Sequence, residues 1–208
     1  MSTKCRAQHA QKSMDIRTLS AYDQHSASFA KDWDDQPPAT DLHALVRKYF
    51  RPGRTADVGC GSGRDAAWLC SNGFPTVGFE PSKCLLEEAR RRHPEVQFQV
   101  AALPELEGIA DASFQNVLCE TVIMHLAAEL IVPSVRRLLD IIEPGGTLYL
   151  SWRVTEGNVR RDEHGRLYAA FDSSLVLQAL SDATVVVNEQ VVSPSSGKAI
   201  GRVIARKG

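Results

Sequence analysis

The chain has 208 residues, of which 43% are apolar and 24% are charged, and its formal net charge is −1. This composition is typical of a single globular domain, and a charge near zero gives no global attraction to nucleic acid or to an anionic membrane. Residues 1–15 lack the apolar core of a signal peptide, and no apolar run approaches the roughly 20 residues that a membrane-spanning helix needs. A cytoplasmic location is expected.

The predicted elements alternate along the chain. A helix capped by Asp41 ends near Phe50 at the turn RPGR, and strands then alternate with helices. The predicted strands are 55–58, 76–79, 96–100, 114–119, 147–153, 184–192 and 199–206. The helices between them are predicted at 64–71, 82–92, 130–142 and 173–180. This order predicts an α/β fold, a doubly wound and mostly parallel Rossmann-like sheet with helices on both faces.

The last two predicted strands are joined only by the turn-rich stretch SPSSGK, at residues 193–198. A parallel partner would need a long crossover connection, whereas two strands joined by a short turn run antiparallel. The sequence therefore predicts an antiparallel pair of C-terminal strands at one edge of the sheet.

The pattern of the five cysteines argues against both disulfide bonds and a structural zinc site. Their number is odd, and no two of them are spaced as C-x-x-C. Neither a disulfide framework nor a structural zinc site is favoured by this pattern. Reduced thiols of a cytosolic protein fit better, and no metal is expected.

The stretch DVGCGSG at residues 57–63 is the most informative motif. It follows the first predicted strand and precedes the first helix of the alternation. Glycines there let the backbone approach a ligand, and the helix N-terminus offers free N–H groups. A tight turn alone would explain one glycine, but three at alternate positions exceed what a turn needs. We therefore expect a ligand at this turn.

Two classes of ligand compete for this turn. The dinucleotide pattern G-x-G-x-x-G/A fails from Gly59, because Arg64 stands at its third glycine position. The dinucleotide pattern is formally met by Gly61, Gly63 and Ala66. A match that begins at Gly61 starts too late, because the turn has already begun before it. The pattern acid-x-G-x-G-x-G is fully met from Asp57. The phase of the glycines thus favours the second pattern and leaves a nicotinamide-dependent oxidoreductase as the alternative.

The residues around these glycines resemble a known family. The stretch from Thr55 to Pro94 resembles motifs I and II of the class I S-adenosylmethionine-dependent methyltransferases. SFQNVLCETVIMHL and RRLLDIIEPGGTLYLSW resemble the family's fourth strand, fourth helix and fifth strand. The resemblance runs from about Ala21 to the C-terminus. It implies a seven-stranded sheet with an antiparallel final pair, and methyl transfer from S-adenosyl-L-methionine with S-adenosyl-L-homocysteine as product.

The resemblance also implies cofactor-binding positions. Asp57 and the three glycines would surround the methionine part, Glu80 would hold the ribose hydroxyls, and the fourth strand would end near the sulfonium. By position the cofactor-binding residues are Tyr22, Asp57, Gly59, Gly61, Gly63, Glu80, Pro81, Ala102, Leu103, Cys119 and Glu120. Within one structural domain, residues 1–50 would form an N-terminal helical segment that lids the cofactor site, and residues 51–208 would form the core.

The acceptor is predicted to be a small molecule. Residues 119–122 read CETV, without the Asn/Asp-Pro-Pro-aromatic turn of family members that methylate exocyclic amines, and no added nucleic-acid module is present. His125 stands where a histidine faces the acceptor in related small-molecule enzymes, and it is a candidate base or orienting group; a packing histidine is the alternative. The predicted partners include no nucleic acid and no membrane, and the protein is expected as a monomer or homodimer.

The segment after the fifth strand is predicted to wall the acceptor pocket. Its candidate substrate-binding residues are Trp152, Arg153, Arg160, Arg161, Arg166 and Tyr168. Arginine forks suit carboxylate or phosphate-like groups, which favours an acceptor with an anionic group. Asp162 and Glu163 are adjacent and could instead neutralise these arginines. The sequence predicts a methyltransferase, with a non-catalytic S-adenosylmethionine-binding protein as a further alternative.

Overall fold

The computed structural model describes residues 14–208, so residues 1–13 of the predicted segment 1–50 lie outside the described part. The α-helices of this part are α1 (Ile16–Gln24), α2 (Ser26–Asp34), α3 (Thr40–Tyr49), α4 (Arg64–Ser71), α5 (Lys83–Arg92), α6 (Ile131–Asp140) and α7 (Ser174–Ala179). The strands are β1 (Thr55–Val58), β2 (Thr76–Phe79), β3 (Gln97–Gln99), β4 (Phe114–Cys119), β5 (Ile142–Arg153), β6 (Arg160–Arg161), β7 (Leu167–Tyr168), β8 (Ala183–Val192) and β9 (Ala199–Lys207).

The main sheet has seven strands in the order β3-β2-β1-β4-β5-β9-β8. The five strands β3, β2, β1, β4 and β5 run parallel to one another. The strand β9 is antiparallel to both of its neighbours, β5 and β8. The predicted α/β fold and its antiparallel C-terminal pair are therefore confirmed. Because the chain order reverses between β1 and β4, a crevice opens there at the carboxyl ends of the parallel strands.

Several element boundaries differ from the sequence prediction. β5 begins at Ile142, because the segment before Thr147 stays beside β4 across a register shift. The helix predicted from Asp41 begins one residue earlier, at Thr40, so that Asp41 lies in its first turn and is not the cap. β6 and β7 form a separate two-stranded sheet that the sequence did not predict. Two-residue strands carry too little periodicity to be recognised in a sequence.

Two helical layers bury the sheet. Val135 and Leu138 of α6 pack on one face with Val176 of α7, whereas Leu42 and Val46 of α3 pack on the other. Each buried side chain of this kind contributes about 1.5–3 kcal/mol relative to an exposed one. None of the helices in the described part has the length and apolarity to cross a membrane.

The helices α1 and α2 are tied to the carboxyl edge of the sheet. The Ser82 hydroxyl that caps α5 also donates to Asp23 of α1, at 2.6 Å. Asp15, which caps α1, accepts two hydrogen bonds from the Arg161 guanidinium, each of 2.8 Å. The N–H of Leu167 donates to a side chain of α1 as well. These contacts hold the N-terminal helices over the crevice as a roof.

Candidate active site

A cavity of about 410 Å³ lies at the carboxyl ends of the parallel strands, beneath α1 and α2. It brings together many of the residues predicted from the sequence. The predicted residues that line it are Tyr22, Gly59, Gly61, Glu80, Pro81, Leu103, Glu120, His125, Arg153, Arg166 and Tyr168. The predicted residues that do not line it are Asp57, Gly63, Ala102, Cys119, Trp152, Arg160 and Arg161.

The glycine turn needs its glycines for backbone conformation and for space. Gly59, Gly61 and Gly63 have φ angles of +76°, +54° and +83°, in the left-handed region that favours glycine. A Cβ on Gly61 would lie 2.8 Å from the Trp33 ring, and one on Gly63 would lie 2.6 Å from Phe98. The turn therefore presents bare backbone to the cavity at Gly61, while Gly63 packs away from it.

Glu80 is held with its carboxylate at the cavity wall. It follows β2, is 5% exposed, and accepts hydrogen bonds from the N–H groups of Gly61 (3.1 Å) and Ser82 (2.9 Å). Burial raises the pKa of this carboxyl to about 7, against the lowering effect of the two N–H donors. The carboxylate has remaining lone pairs, so it can accept hydrogen bonds from the hydroxyls of a bound diol.

Asp57 lies beneath the turn and not on the cavity surface. It is 3% exposed, and its Oδ2 has no hydrogen-bond partner among residues 14–208. Burial, and then the nearby charges of Asp65, Glu80 and Glu120, raise its pKa well above the usual range. The resulting concentration of acidic groups around the glycine turn favours a ligand that carries positive charge there.

The end of β4 separates two neighbouring predicted residues. Cys119 is fully buried in the main core, whereas Glu120 lines the cavity and accepts a hydrogen bond from the Ser151 hydroxyl. Burial raises the pKa of Glu120 to about 7. Thr121, which follows, has a φ of +53°, a strained conformation for a residue with a side chain. The chain turns sharply here and directs Glu120 into the cavity.

His125 is bound on both sides of its ring. Its Nδ1 lies 2.6 Å from the carbonyl oxygen of Leu167, and its Nε2 lies 2.9 Å from the hydroxyl of Tyr22. A carbonyl only accepts hydrogen bonds, so Nδ1 carries the proton and Nε2 accepts from Tyr22. Burial lowers the pKa of His125 to about 4, which keeps the imidazole neutral at pH 7.

The segment after β5 contributes two basic residues to the cavity. The Arg166 guanidinium lies 4.3 Å from the centroid of the Phe29 ring and donates to Asp162 at 2.7 Å. The guanidinium of Arg153 lies 5.2 Å from the centroid of Tyr168. Both guanidinium groups therefore lie within cation–π distance of an aromatic ring.

The other candidates of this segment face elsewhere. Trp152 is buried against Phe171, with ring centroids 5.8 Å apart. Arg160 and Arg161 are exposed, and Arg161 is bound to Asp15. These three side chains therefore support the structure around the cavity and do not line it.

Sequence reasoning missed several contributors to the cavity, of which two matter most. Trp33 of α2 covers the glycine turn, and its carbonyl accepts from Arg64 at 2.9 Å. The serine-rich turn at residues 193–198 also reaches the cavity, with Lys198 at its end. The position of Lys198 could have been inferred from the predicted antiparallel strand pair. The start of an antiparallel last strand lies beside the carboxyl ends of its parallel neighbours, which is where the cavity lies.

Comparison with known proteins supports the family that the sequence resembles. The family model of the methyltransferase domain matches residues 56–146. A ubiquinone biosynthesis O-methyltransferase of Xanthomonas campestris is 28% identical over 142 residues, 62% of this chain and 59% of that protein. A trans-aconitate 2-methyltransferase of Methylobacterium nodulans is 33% identical over 132 residues, 61% of this chain and 48% of that protein.

The fold agrees with a solved methyltransferase structure. The 1,6-didemethyltoxoflavin-N1-methyltransferase of Burkholderia thailandensis superposes with a TM-score of 0.70 at 23% identity, over 92% of this chain and 87% of that one. The chain spans less than two thirds of the length of the first curated relatives. Sequence match at residues 56–146 and the shared fold together support a methyltransferase domain of the class I, S-adenosylmethionine-dependent type in this chain.

Proposed function

We propose that the protein transfers a methyl group from S-adenosyl-L-methionine to a small-molecule acceptor that carries an anionic group, and releases S-adenosyl-L-homocysteine. The observation that carries the proposal is the single roofed cavity in which Glu80 and the bare glycine turn face His125 and Arg153. When bound, the cofactor supplies an electrophilic methyl group on its sulfonium.

The half of the cavity at β1 and β2, which we call the cofactor half, suits this cofactor. Its carboxylates complement a ligand with a sulfonium and an ammonium group, and Glu80 offers acceptors to a ribose. Pro81 and Leu103 add apolar surface where the adenine would lie. Gly59 and Gly61 would allow the methionine part to approach the backbone.

The half at β4 and β5, which we call the acceptor half, supports an orienting role for His125. Methyl transfer needs the acceptor atom, the methyl group and the sulfur in line, with water excluded. A pKa of about 4 makes His125 a weak proton acceptor at pH 7, so we assign it orientation of the acceptor through the Tyr22 hydroxyl that it holds, and not proton abstraction. Tyr22 acts together with His125, because its hydroxyl donates a hydrogen bond to Nε2 of the imidazole.

The names of the relatives agree with a small acceptor. Among the curated relatives are O-methyltransferases of ubiquinone biosynthesis and trans-aconitate 2-methyltransferases, the latter named for an acidic acceptor. The chain covers only part of each of these proteins, so its own acceptor has to be found by experiment. The oligomeric state and the cytoplasmic location stay predictions.

The proposal is tested in two steps. Calorimetric titration with S-adenosyl-L-homocysteine and with NAD should show tight binding of the first and none of the second; the reverse would favour an oxidoreductase. The protein is then incubated with cofactor carrying an isotopically labelled methyl group and a metabolite extract, and products are identified by mass spectrometry. Labelled small products support the proposal, whereas cofactor binding without any product would identify a non-catalytic binding protein.

A further inference from the structure

We propose that Arg153 and Lys198 form a subsite for a carboxylate group of the acceptor, which we call the Arg153–Lys198 subsite. The inference rests on the proposed function and narrows it to acceptors that are carboxylic acids. It assigns recognition of the acid to the junction of β5 with the β8–β9 turn, and not to Arg160 and Arg161, which do not line the cavity.

The sheet topology brings the two cations to the same edge. Arg153, the last residue of β5, is the register partner of Ile200 in β9. The N–H of Val154 donates to the carbonyl of Ala199 at 3.0 Å, which fixes the start of β9 beside the end of β5. Lys198 directly precedes β9, and both Arg153 and Lys198 line the cavity.

These two cations make no salt bridge within residues 14–208. Arg166, by contrast, is neutralised by Asp162. Glu163 also lines the cavity, but its side chain is 87% exposed and contacts His164. Unpaired cations in a concave site favour a bound anion.

Carboxylates concentrate where β1, β2 and β4 end, whereas Arg153 and Lys198 lie at the β5–β9 end of the cavity. Asp65, Glu80 and Glu120 line it near β1, β2 and the end of β4, and Asp32 lies at its exposed rim. β5 and β9 are two and three strands away from β1, a distance of about 10 to 15 Å at the usual strand spacing. The cationic end therefore lies on the acceptor side of the cavity, away from the glycine turn.

The chemistry of the subsite fits a carboxylate. The Arg153 guanidinium lies over the Tyr168 ring, and its N–H groups can bind both oxygens of a carboxylate. Three serines of the turn at residues 193–198 add hydroxyl donors to the cavity wall, namely Ser193, Ser195 and Ser196. The hydroxyls of Ser193 and Ser195 lie 3.1 Å apart, which orders the turn.

The experiment measures binding of a carboxylate probe to protein saturated with S-adenosyl-L-homocysteine. Trans-aconitate is titrated by calorimetry into wild type, Arg153→Gln, Lys198→Gln and the double variant. We expect each single change to weaken binding at least about tenfold, as for loss of one charge-assisted contact. The control variants are Arg136→Gln and Lys83→Gln, which remove exposed charges of α6 and α5 outside the cavity lining. Their affinity for trans-aconitate should stay within about twofold of wild type.

A second arm distinguishes a carboxylate of the acceptor from that of the cofactor. Affinity for S-adenosyl-L-homocysteine is measured in the same variants and should stay within about threefold of wild type. A tenfold loss would mean that these cations hold the cofactor, and would overturn the subsite. Absence of saturable trans-aconitate binding to wild type, or binding insensitive to both changes, would overturn it too.

The two proposals can fail separately. Trans-aconitate binding that depends on Arg153 and Lys198 in a protein without affinity for S-adenosyl-L-homocysteine would support the subsite and refute the proposed function. Labelled products that all lack a carboxylate would support the proposed function and refute the subsite.

Discussion

The hydroxyl of Tyr22 lies 2.9 Å from Nε2 of His125 and joins helix α1 to the turn after β4 above the cavity. Arg166 approaches the same hydroxyl, with Nη1 at 3.5 Å. The contact closes the roof directly over the residue that we assign to acceptor orientation. Roof position and acceptor orientation are therefore coupled through one hydrogen bond.

Removing that hydroxyl should affect turnover more than stability. Tyr22→Phe keeps the ring contacts with Phe29 and loses the bond to His125. We expect a loss of about 1 kcal/mol in the free energy of unfolding and of about tenfold or more in kcat/KM. Urea unfolding and steady-state kinetics measure the two effects. Tyr49→Phe, remote from the cavity, is the control, and equal kinetics in all three proteins would contradict the orienting role.

His125 should make the protein sensitive to mild acid. Its pKa is about 4 in the folded protein and near 6.5 in the unfolded chain, so the unfolded chain binds the proton more readily. Stability contributed by the neutral form is present above pH 6.5 and is lost as the pH falls towards 4, up to about 3 kcal/mol. His125→Gln should abolish this part of the pH dependence in urea unfolding. Parallel pH profiles of wild type and variant would show that the folded-state pKa is not lowered.

Glu80 should make cofactor binding depend on pH, with affinity increasing as the pH rises. Its pKa near 7 means that the carboxyl of the free protein is partly protonated at neutral pH. Ribose hydroxyls donate to the ionised form, so affinity for S-adenosyl-L-homocysteine should rise as the pH increases through 7, with proton release on binding. Calorimetry in buffers of different ionisation enthalpy detects that release.

Glu80→Gln is the matched change for this test. It should weaken binding about tenfold or more and remove most of the proton release, while Glu120 and Asp57 remain unchanged. Proton release that persists undiminished in Glu80→Gln would assign the titration to one of those neighbours, whose pKa values are also raised by burial.

Gly61 can be tested against a glycine with the same backbone strain. Gly61→Ala and Gly73→Ala both place a side chain at positive φ, +54° and +89°, which costs about 1 kcal/mol. Only at Gly61 would the new Cβ meet a neighbour, the Trp33 ring, while at Gly73 nothing lies within 4 Å. We expect Gly61→Ala to lose at least about tenfold in affinity for S-adenosyl-L-homocysteine and Gly73→Ala to retain it. Equal affinity in the two folded variants would refute our placement of the cofactor.

The cofactor half was the more predictable part of the molecule. The residues from Asp57 to Glu80 lie on a strand, a turn, a helix and the next strand, so their sequence spacing nearly determines their position. β4 ends at Cys119, which is buried in the core, and the turn at Thr121 directs the next residue, Glu120, into the cavity. The sequence alone does not say which of the two points inwards.

The acceptor half depends on long-range contacts. Arg161 and Arg166 are five residues apart in one segment, yet one binds Asp15 of the roof and the other faces the cavity. The pairing of β6 with β7 sets the positions of these two arginines, and strands of two residues leave no recognisable pattern in the sequence. Lys198 reaches the cavity only because β9 lies between β5 and β8.

The separation of the two halves has an evolutionary consequence. Glu80 and Glu120 lie inside the methyltransferase-domain match at residues 56–146, whereas Tyr22, Arg153 and Lys198 lie outside it. Substitutions in the β5–β7 segment and the β8–β9 turn can therefore change the acceptor half without altering Glu80 or Glu120. Selection, or a laboratory library confined to the β5–β7 segment and the β8–β9 turn, would have a route to new acceptors that leaves both carboxylates and the glycine turn in place.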